Sequence, residues 1–392
     1  MKILLGSESF PPNVSGVATA TKNLAVNLTK NGHQAFVLTP GNTFKTKIDR
    51  KFPDYTVYRL KSIVNPFRRG YRITFVSIKE IEKLVDEIKP DVIHLQDPAV
   101  IGRLLCFVGR KRGIPVVITN HFSLEYALSY VRFLSPFIPV LRRGLIDYLV
   151  NFYNKCDQIV TPTETFRKQI ESWGVKVPVK AISNGIEIEK FLEKFSTKKI
   201  DALREKLHLP ENPLVLYLGR VDKDKSIDVL VKAIPLVLKK INAHFAIAGS
   251  GGELEDIKNL ARELNIENDI TFVGFLDHNS DDFVCLYKSA SIFAIPSTIE
   301  TQSLVTLEAM SSGLPIVAAD AGALPELVKE KRNGFLFKPG DEKELAKHII
   351  GILSKKNMVK QMGSESVKIA MNHQMDKAFA EMLNLYQNFI QK

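Results

Sequence analysis

The feature that most constrains this chain is an alternation of short β-branched runs with longer helical patterns, which runs once and then begins again. Candidate strands fall at residues 2–5, 34–39, 91–95, 115–119, 158–161 and 180–183. Between them, residues 18–30, 78–88 and 166–173 carry apolar side chains at helical spacing. Strands that alternate with helices are parallel, because each return is made by a helix lying on a face of the sheet. The alternation restarts with strands at 214–218, 244–248, 270–273, 291–295 and 315–318, separated by helices near 227–239, 253–264, 281–288 and 303–311.

At 392 residues the chain has length for two such α/β domains, each with its own core. The seam lies near residues 187–213, a Lys/Glu-rich stretch that ends in Leu209-Pro210-Glu211-Asn212-Pro213. The expected division is a first Rossmann-like domain over 1–190 and a second over 191–372. A terminal helix over 373–392, with Phe379, Met382, Leu383, Leu385, Tyr386 and Ile390 at helical spacing, is expected to pack back on the first. Two doubly wound domains facing each other place strand carboxyl ends on both sides of one cleft, where open α/β sheets bind ligands. This fold hosts many chemistries, so function has to come from the site.

Charge is unevenly divided. Residues 1–200 hold 31 Lys/Arg and 17 Asp/Glu, a net of +14, while 201–392 hold 23 and 26, a net of −3. A basic half has three usual meanings: a nucleic-acid surface, an anionic-membrane surface, or solubility alone. No RRM, helix-turn-helix or zinc-finger pattern is present, which disfavours nucleic acid. Cys106, Cys156 and Cys285 are scattered without CxxC spacing, which points away from a disulfide framework and from a zinc site. The opening MKILLGSESFPP is too short in apolar residues for a signal-peptide core, and no later run approaches the ~20 of a spanning helix. The expectation is a cytoplasmic protein that touches a membrane peripherally at most.

Two loops carry the candidate chemistry. The strand at 214–218 runs into Gly219-Arg220-Val221-Asp222-Lys223-Asp224-Lys225-Ser226 and then a helix. A guanidinium fork, an ammonium and the exposed N–H groups of a helix start suit a diphosphate. The bland alternative is a solvated loop of mixed charge. Asp222-Lys223-Asp224 also fits a DxD metal pattern, but Arg220, Lys223 and Lys225 crowd the same loop, so no metal is expected there. In the second loop, Pro296-Ser297-Thr298-Ile299-Glu300-Thr301-Gln302-Ser303 leads into a helix on which Glu308 follows. A carboxylate accepts two hydroxyl donors at once, so Glu308 suits a sugar diol, while backbone N–H groups at Ser303 and Leu304 suit an anion. Against this, Glu300 is equally placed to favour the helix dipole and Glu308 to lie on a solvated face.

The Glu300…Glu308 segment resembles the EX7E segment of family 4 retaining glycosyltransferases, which have the two-domain GT-B fold. Other pieces occur in that family's order. Pro11-Pro12-Asn13-Val14-Ser15-Gly16-Val17 is similar to its Pro-x-x-Gly-Gly-Val loop, with Ser15 in place of the first glycine. Gly32-His33-Gln34-Ala35-Phe36-Val37, Asp91-Val92-Ile93-His94 and Thr119-Asn120-His121-Phe122 match further strand ends. Ser183-Asn184-Gly185-Ile186 with Phe191, Gly249-Ser250-Gly251, Val273-Gly274-Phe275 and Gly322…Pro325-Glu326 complete the series. The resemblance implies that Arg220 and Lys225 grip the donor's diphosphate and that Glu308 holds the ribose. It also implies that Glu300 and the amides of Ser303 and Leu304 meet the transferred sugar, that Gly16 lets the first loop approach the phosphates, and that His121 faces the sugar or acceptor. It further implies transfer from a UDP- or GDP-sugar with retention at the anomeric carbon and without a metal cofactor. UDP-glucose is the first donor to test.

For the acceptor, basic residues cluster with aromatics in Phe67-Arg68-Arg69-Gly70-Tyr71-Arg72 and along residues 131–143, which end in Arg142-Arg143. An apolar stretch with basic flanks suits an anionic lipid surface, and Pro136 and Pro139 predict a broken helix or loop there. Within the family, Glu300-Thr301-Gln302 and the Phe67–Arg72 region most resemble enzymes acting on diacylglycerol or phosphatidylinositol-type lipids. Arg68, Arg69, Arg72, Arg142 and Arg143 are the expected membrane contacts. A soluble or polyprenol-linked saccharide is the alternative acceptor, and a same-fold nucleotide-sugar epimerase is a more distant one. A dehydrogenase is disfavoured, because Ser7-Glu8-Ser9-Phe10 follows the first strand where GxGxxG would stand.

Overall fold

The computed structural model describes the chain apart from Val14, residues 66–71 and 130–131, Lys194 and Lys392, and apart from the side chains of residues 129 and 132–134. It divides into two units, Met1–Gly185 with Asp376–Lys392, and Ile186–Met375.

The first unit contains strands β1 (Lys2–Gly6), β2 (Gln34–Pro40), β3 (Lys47–Asp49), β4 (Thr56–Leu60), β5 (Ser62–Val64), β6 (Arg72–Thr74), β7 (Val92–Leu95), β8 (Val116–Thr119), β9 (Gln158–Thr161) and β10 (Val179–Ala181). Eight of them form one sheet in the order β10-β9-β8-β7-β1-β2-β4-β3, while β5 and β6 pair separately as an antiparallel hairpin. Every pairing in the large sheet is parallel except the edge strand β3 on β4. The strand order reverses at β1, which has β2 on one side and β7 on the other. The central strands are buried on both faces, so they read as continuous apolar runs.

The second unit contains β11 (Leu214–Leu218), β12 (His244–Ala248), β13 (Ile270–Gly274), β14 (Ile292–Ile295), β15 (Ile316–Ala319) and β16 (Gly334–Phe337). Their order is β13-β12-β11-β14-β15-β16, all parallel, with the reversal between β11 and β14. Loops that leave two adjacent strands in opposite directions open a crevice at such a point, which is where open α/β sheets take ligands. Both sheets have the doubly wound arrangement that the alternation predicts.

The periodicity left several elements unseen. β3, β4 and the hairpin are short and mixed in polarity, and β16 is only four residues long. The stretch expected to be a broken helix or loop is a 3-10 turn, Arg132–Phe137, that leads into a regular helix, Ile138–Tyr153. Pro139 sits in the first turn of that helix, where its missing N–H removes no intrahelical bond. The terminal helix Met375–Ile390 buries Phe379, Met382, Leu385 and Tyr386 in one cluster with Ile3 and Leu5 of β1 and Val37 of β2.

Candidate functional site

In the second unit the loops leaving β11 and β14 are joined. The β11 loop turns through Lys223–Lys225 into the helix Ile227–Leu238, and the β14 loop leads to the helix Leu304–Ser311. Thr298 N donates to Asp224 O at 3.1 Å, which ties one loop to the other. The Lys225 ammonium lies 2.7 Å from Glu300 Oε1, in a pair where both side chains are nearly buried. It also reaches Asp224 at 3.4 Å and Ser297 Oγ at 3.4 Å. Arg220 binds Asp222 Oδ2 through Nη1 and Asp224 Oδ2 through Nη2, the latter at 3.0 Å. The two cations named for the diphosphate are therefore held by the two carboxylates of the DxD pattern and by Glu300. Among the described residues no three His, Cys, Asp or Glu side chains are grouped so as to hold a metal ion.

Two glycines make the close approach of these loops sterically feasible. Gly322 has φ +55°, and a Cβ there would lie 2.6 Å from Glu300 O, so the turn after β15 rests directly on the Glu300 backbone. Ala323 N completes that contact by donating to Glu300 O at 2.9 Å. Gly249, after β12, has φ +135°, and its Cβ would overlap Gly219 O at 1.8 Å. Only glycine tolerates both the backbone angle and the contact.

Glu308 is 5% exposed on the second turn of its helix. Tyr287 OH donates to its Oε2 at 2.7 Å, and His278 Nε2 lies 2.8 Å from Oε1. Tyr287 is fully buried, and burial together with the Glu308 charge pushes its phenol well above the usual range. Ser303 precedes the first helical residue, and Thr306 Oγ1 donates to Ser303 Oγ at 2.8 Å. The first N–H groups of the helix, from Leu304 onward, have no partner inside it and point out of its start.

In the first unit the predicted residues are Gly16 and His121. Ser15, standing where the family pattern has a glycine, caps the helix Gly16–Lys30: its Oγ accepts from Ala18 N at 3.1 Å and lies 2.7 Å from Ser9 Oγ. That capping bond is a physical reason for the departure. A Cβ on Gly16 would meet nothing within 4 Å, so the fold by itself does not require glycine there. His121 follows β8, and its Nε2 is 3.0 Å from Gln96 Oε1. Burial pulls its imidazole down to about 4, so the ring is neutral at physiological pH.

The residues expected at a membrane are distributed unevenly. Arg142 pairs with Glu125 at 3.0 Å and Arg143 with Asp147 at 3.1 Å, both on the surface. Arg72 is turned into its own hairpin, with Nε 2.7 Å from Ser62 Oγ. Arg68 and Arg69 lie outside the described residues. In the apolar stretch 131–143 that the sequence points to, Phe137 and Val140 stand mostly in solvent, and so do Val64 in the hairpin and Phe75 just after it, which the sequence did not single out. No helix among the described residues is long and apolar enough to cross a membrane.

Several partners were not singled out from sequence, namely Tyr287, His278 and Gln96. Each lies far along the chain from the residue it serves or carries no motif of its own. A last group lies under the first unit's strand ends. Glu8 Oε1 accepts from Ile101 N at 2.8 Å, capping the helix Val100–Arg112, and Oε2 accepts from Thr74 Oγ1 at 2.8 Å. Asp97 Oδ2 accepts from Glu8 N at 2.7 Å. Burial, and then the neighbouring Asp97 charge, raises Glu8 to about 7.

The chain is similar in sequence and in fold to known proteins. Residues 14–190 match the description "Glycosyltransferase Family 4" and residues 199–368 match "Glycosyl transferases group 1". The chain is similar to the α-monoglucosyldiacylglycerol synthase of Streptococcus pneumoniae, with 29% identity over 86% of this chain and 75% of that protein. The synthase of the same name from Acholeplasma laidlawii is 29% identical over 90% and 88%. An uncharacterized glycosyltransferase of Methanocaldococcus jannaschii is 30% identical over 90% of this chain and 89% of its own length. In fold the chain is similar to sucrose-phosphate synthase from Thermosynechococcus elongatus, with a TM-score of 0.81 at 21% identity over 100% of this chain and 99% of that one. It is also similar to an Anabaena protein solved with UDP and glucose, with a TM-score of 0.77 at 22% identity over 99% and 100%.

Proposed function

The chain belongs to the family 4 glycosyltransferases of GT-B fold and acts on nucleotide sugars; from that premise we propose that it moves a hexose, with retention, onto a membrane lipid such as diacylglycerol. The observation that carries the donor half of this reading is the cationic pair at the strand reversal. Arg220 and Lys225 meet on the Asp224 carboxylate, and Lys225 contacts Glu300 in the loop that leads, four residues on, to the helix Leu304–Ser311. Negative charge grows on the departing diphosphate as its bond to the sugar's anomeric carbon breaks. Two fixed cations and a helix start lower the energy of that charge more than they lower that of the bound donor. Same-face attack balances without a protein nucleophile: the acceptor hydroxyl oxygen bonds to the anomeric carbon, and its proton passes to the leaving phosphate oxygen. Glu308, oriented by Tyr287, would accept the ribose hydroxyls, and Gly16 would leave room for the phosphates on the side of the first unit. His121 would meet the transferred sugar. In this reading the charge of the leaving group is met by Arg220 and Lys225, so no metal cofactor is required.

The lipid half of the reading is supported by the diacylglycerol named for two relatives and by the exposed Phe137, Val140, Val64 and Phe75 near basic side chains. Such an apolar and cationic surface suits the cytoplasmic face of an anionic membrane, where each Lys or Arg contributes about 1 kcal/mol. The test is a panel of UDP- and GDP-hexoses with diacylglycerol in anionic vesicles, scored for glycolipid and for its anomeric configuration. An α-linked product from an α-linked donor is expected. Transfer only to soluble or polyprenol-linked saccharides would replace the lipid reading, and a β-linked product would remove retention.

A further inference from the structure

A row of polar side chains crosses from β7 to β8 at their carboxyl ends. His94 and Gln96 are two residues apart, as are Thr119 and His121, and residues two apart share one face of a sheet. The rows are joined by two hydrogen bonds, His94 Nε2 with Thr119 Oγ1 at 2.7 Å and His121 Nε2 with Gln96 Oε1 at 3.0 Å. The main chain of Gln96 is fixed at the centre of the sheet, its N–H donating to Gly6 O at 2.8 Å. The neighbouring Asn120 is likewise locked, with Oδ1 accepting from Tyr153 OH at 2.7 Å.

Gln96 is 2% exposed, and its amide nitrogen is buried without a hydrogen-bond partner. An unpaired buried N–H donor lowers stability, and an apolar side chain of the same length would avoid that loss. Packing therefore does not explain glutamine at this position. Its other amide atom has one partner in the structure, the ring of His121.

We propose that Gln96 is the positioning residue for His121, its carbonyl oxygen accepting from Nε2–H so that the ring plane is fixed and Nδ1 is left as the hydrogen-bond acceptor for a sugar hydroxyl. The inference rests on the reading that His121 meets the transferred sugar. An imidazole has one donor and one acceptor nitrogen, and the partner of one nitrogen sets the role of the other. Without Gln96 the ring would exchange tautomers and rotate, and a misplaced catalytic group costs on the order of 10- to 100-fold in rate.

The experiment uses Gln96→Met, Gln96→Glu and His121→Ala in the full chain, with steady-state kinetics, thermal unfolding and 15N spectra of the labelled histidines. Gln96→Met is expected to unfold at or above the native temperature, since the unpaired donor is gone, while kcat falls about tenfold or more and donor KM is little changed. The native protein is expected to show His121 as the Nε2–H tautomer. Gln96→Glu, which keeps an oxygen facing that proton, is expected to preserve the tautomer and to recover much of kcat. Normal kcat in Gln96→Met beside an inactive His121→Ala would overturn the proposal alone, as would an Nδ1–H tautomer in the native protein. Full activity in His121→Ala would overturn the reading of His121 and the proposal with it.

Discussion

The ammonium of Lys225 and the carboxylate of Glu300 are 2.7 Å apart, although the residues lie on loops from different strands and 75 positions apart in the chain. Each side chain is about nine-tenths enclosed, so the pair is shielded from the screening that weakens surface ion pairs. In the reading proposed above, a donor's diphosphate would enter among Arg220, Lys225 and the three carboxylates that hold them. Lys225→Ala should cut turnover by orders of magnitude and also lower stability by about 1–3 kcal/mol, because Glu300 is left buried and unpaired. Arg220→Ala, at a more exposed position, should cut turnover comparably with little change in Tm. Kinetics and thermal unfolding on both variants check this, and near-normal rates in either would remove that residue from the phosphate site.

Tyr287 OH supports one oxygen of Glu308 from inside the core. Tyr287→Phe should therefore raise donor KM roughly tenfold, one lost hydrogen bond to a charged group, and leave kcat nearly unchanged. Donor titration by calorimetry reads the same loss directly. An unchanged affinity would show that Glu308 is not the ribose ligand or does not need this support.

Glu8 makes stability depend on pH. Its folded value is raised from 4.5 to about 7 by burial first and the Asp97 charge second, so the folded protein keeps a proton that the unfolded chain has released. The stabilisation is complete below the unfolded value and is lost as pH rises through about 7. Glu8→Gln keeps an oxygen for Ile101 N and cannot ionise. It should unfold at a higher temperature than the native protein above pH 8, by up to about 3 kcal/mol, with the advantage gone below pH 5. Parallel Tm–pH curves for the two proteins would refute the assignment.

Tyr386 anchors the terminal helix to the first unit. Its hydroxyl lies 2.5 Å from Nδ1 of the fully buried His94, whose own value burial lowers to about 3. Tyr386→Phe leaves that ring nitrogen unpaired and should cost about 1–3 kcal/mol. Deleting residues 376–392 also uncovers the apolar surface that Phe379, Met382 and Leu385 cover, and should abolish cooperative unfolding of the first unit. Calorimetry distinguishes the two.

Phe137 and Val140 test the membrane reading. Replacing both by Asp should reduce co-sedimentation with anionic vesicles at low salt by about tenfold or more, since each buried apolar side chain contributes about 1.5–3 kcal/mol. Undiminished binding would move the membrane surface elsewhere on the chain.

The sequence by itself determined the two parallel sheets and the short loops that carry Arg220, Lys225, Glu300 and Glu308. Strand and helix periods are local properties, and the glycines at 249 and 322 mark turns that no other residue fits. Tertiary structure alone decided which groups hold those side chains: Asp222 and Asp224 on Arg220, Tyr287 and His278 on Glu308, Gln96 on His121 and Tyr386 on His94. The half-buried Glu8–Asp97 pair belongs to the same class. The Ser15 cap and the Asp222 and Asp224 contacts close within four residues, while those of Glu308, His121 and His94 depend on strand order and on which face each residue takes, so separations of 21 to 292 residues close with no repeating signal in between. Periodicity reports how a segment folds on itself, whereas the partner of a buried polar atom is set only when the sheets have formed and the atom has nowhere else to bond.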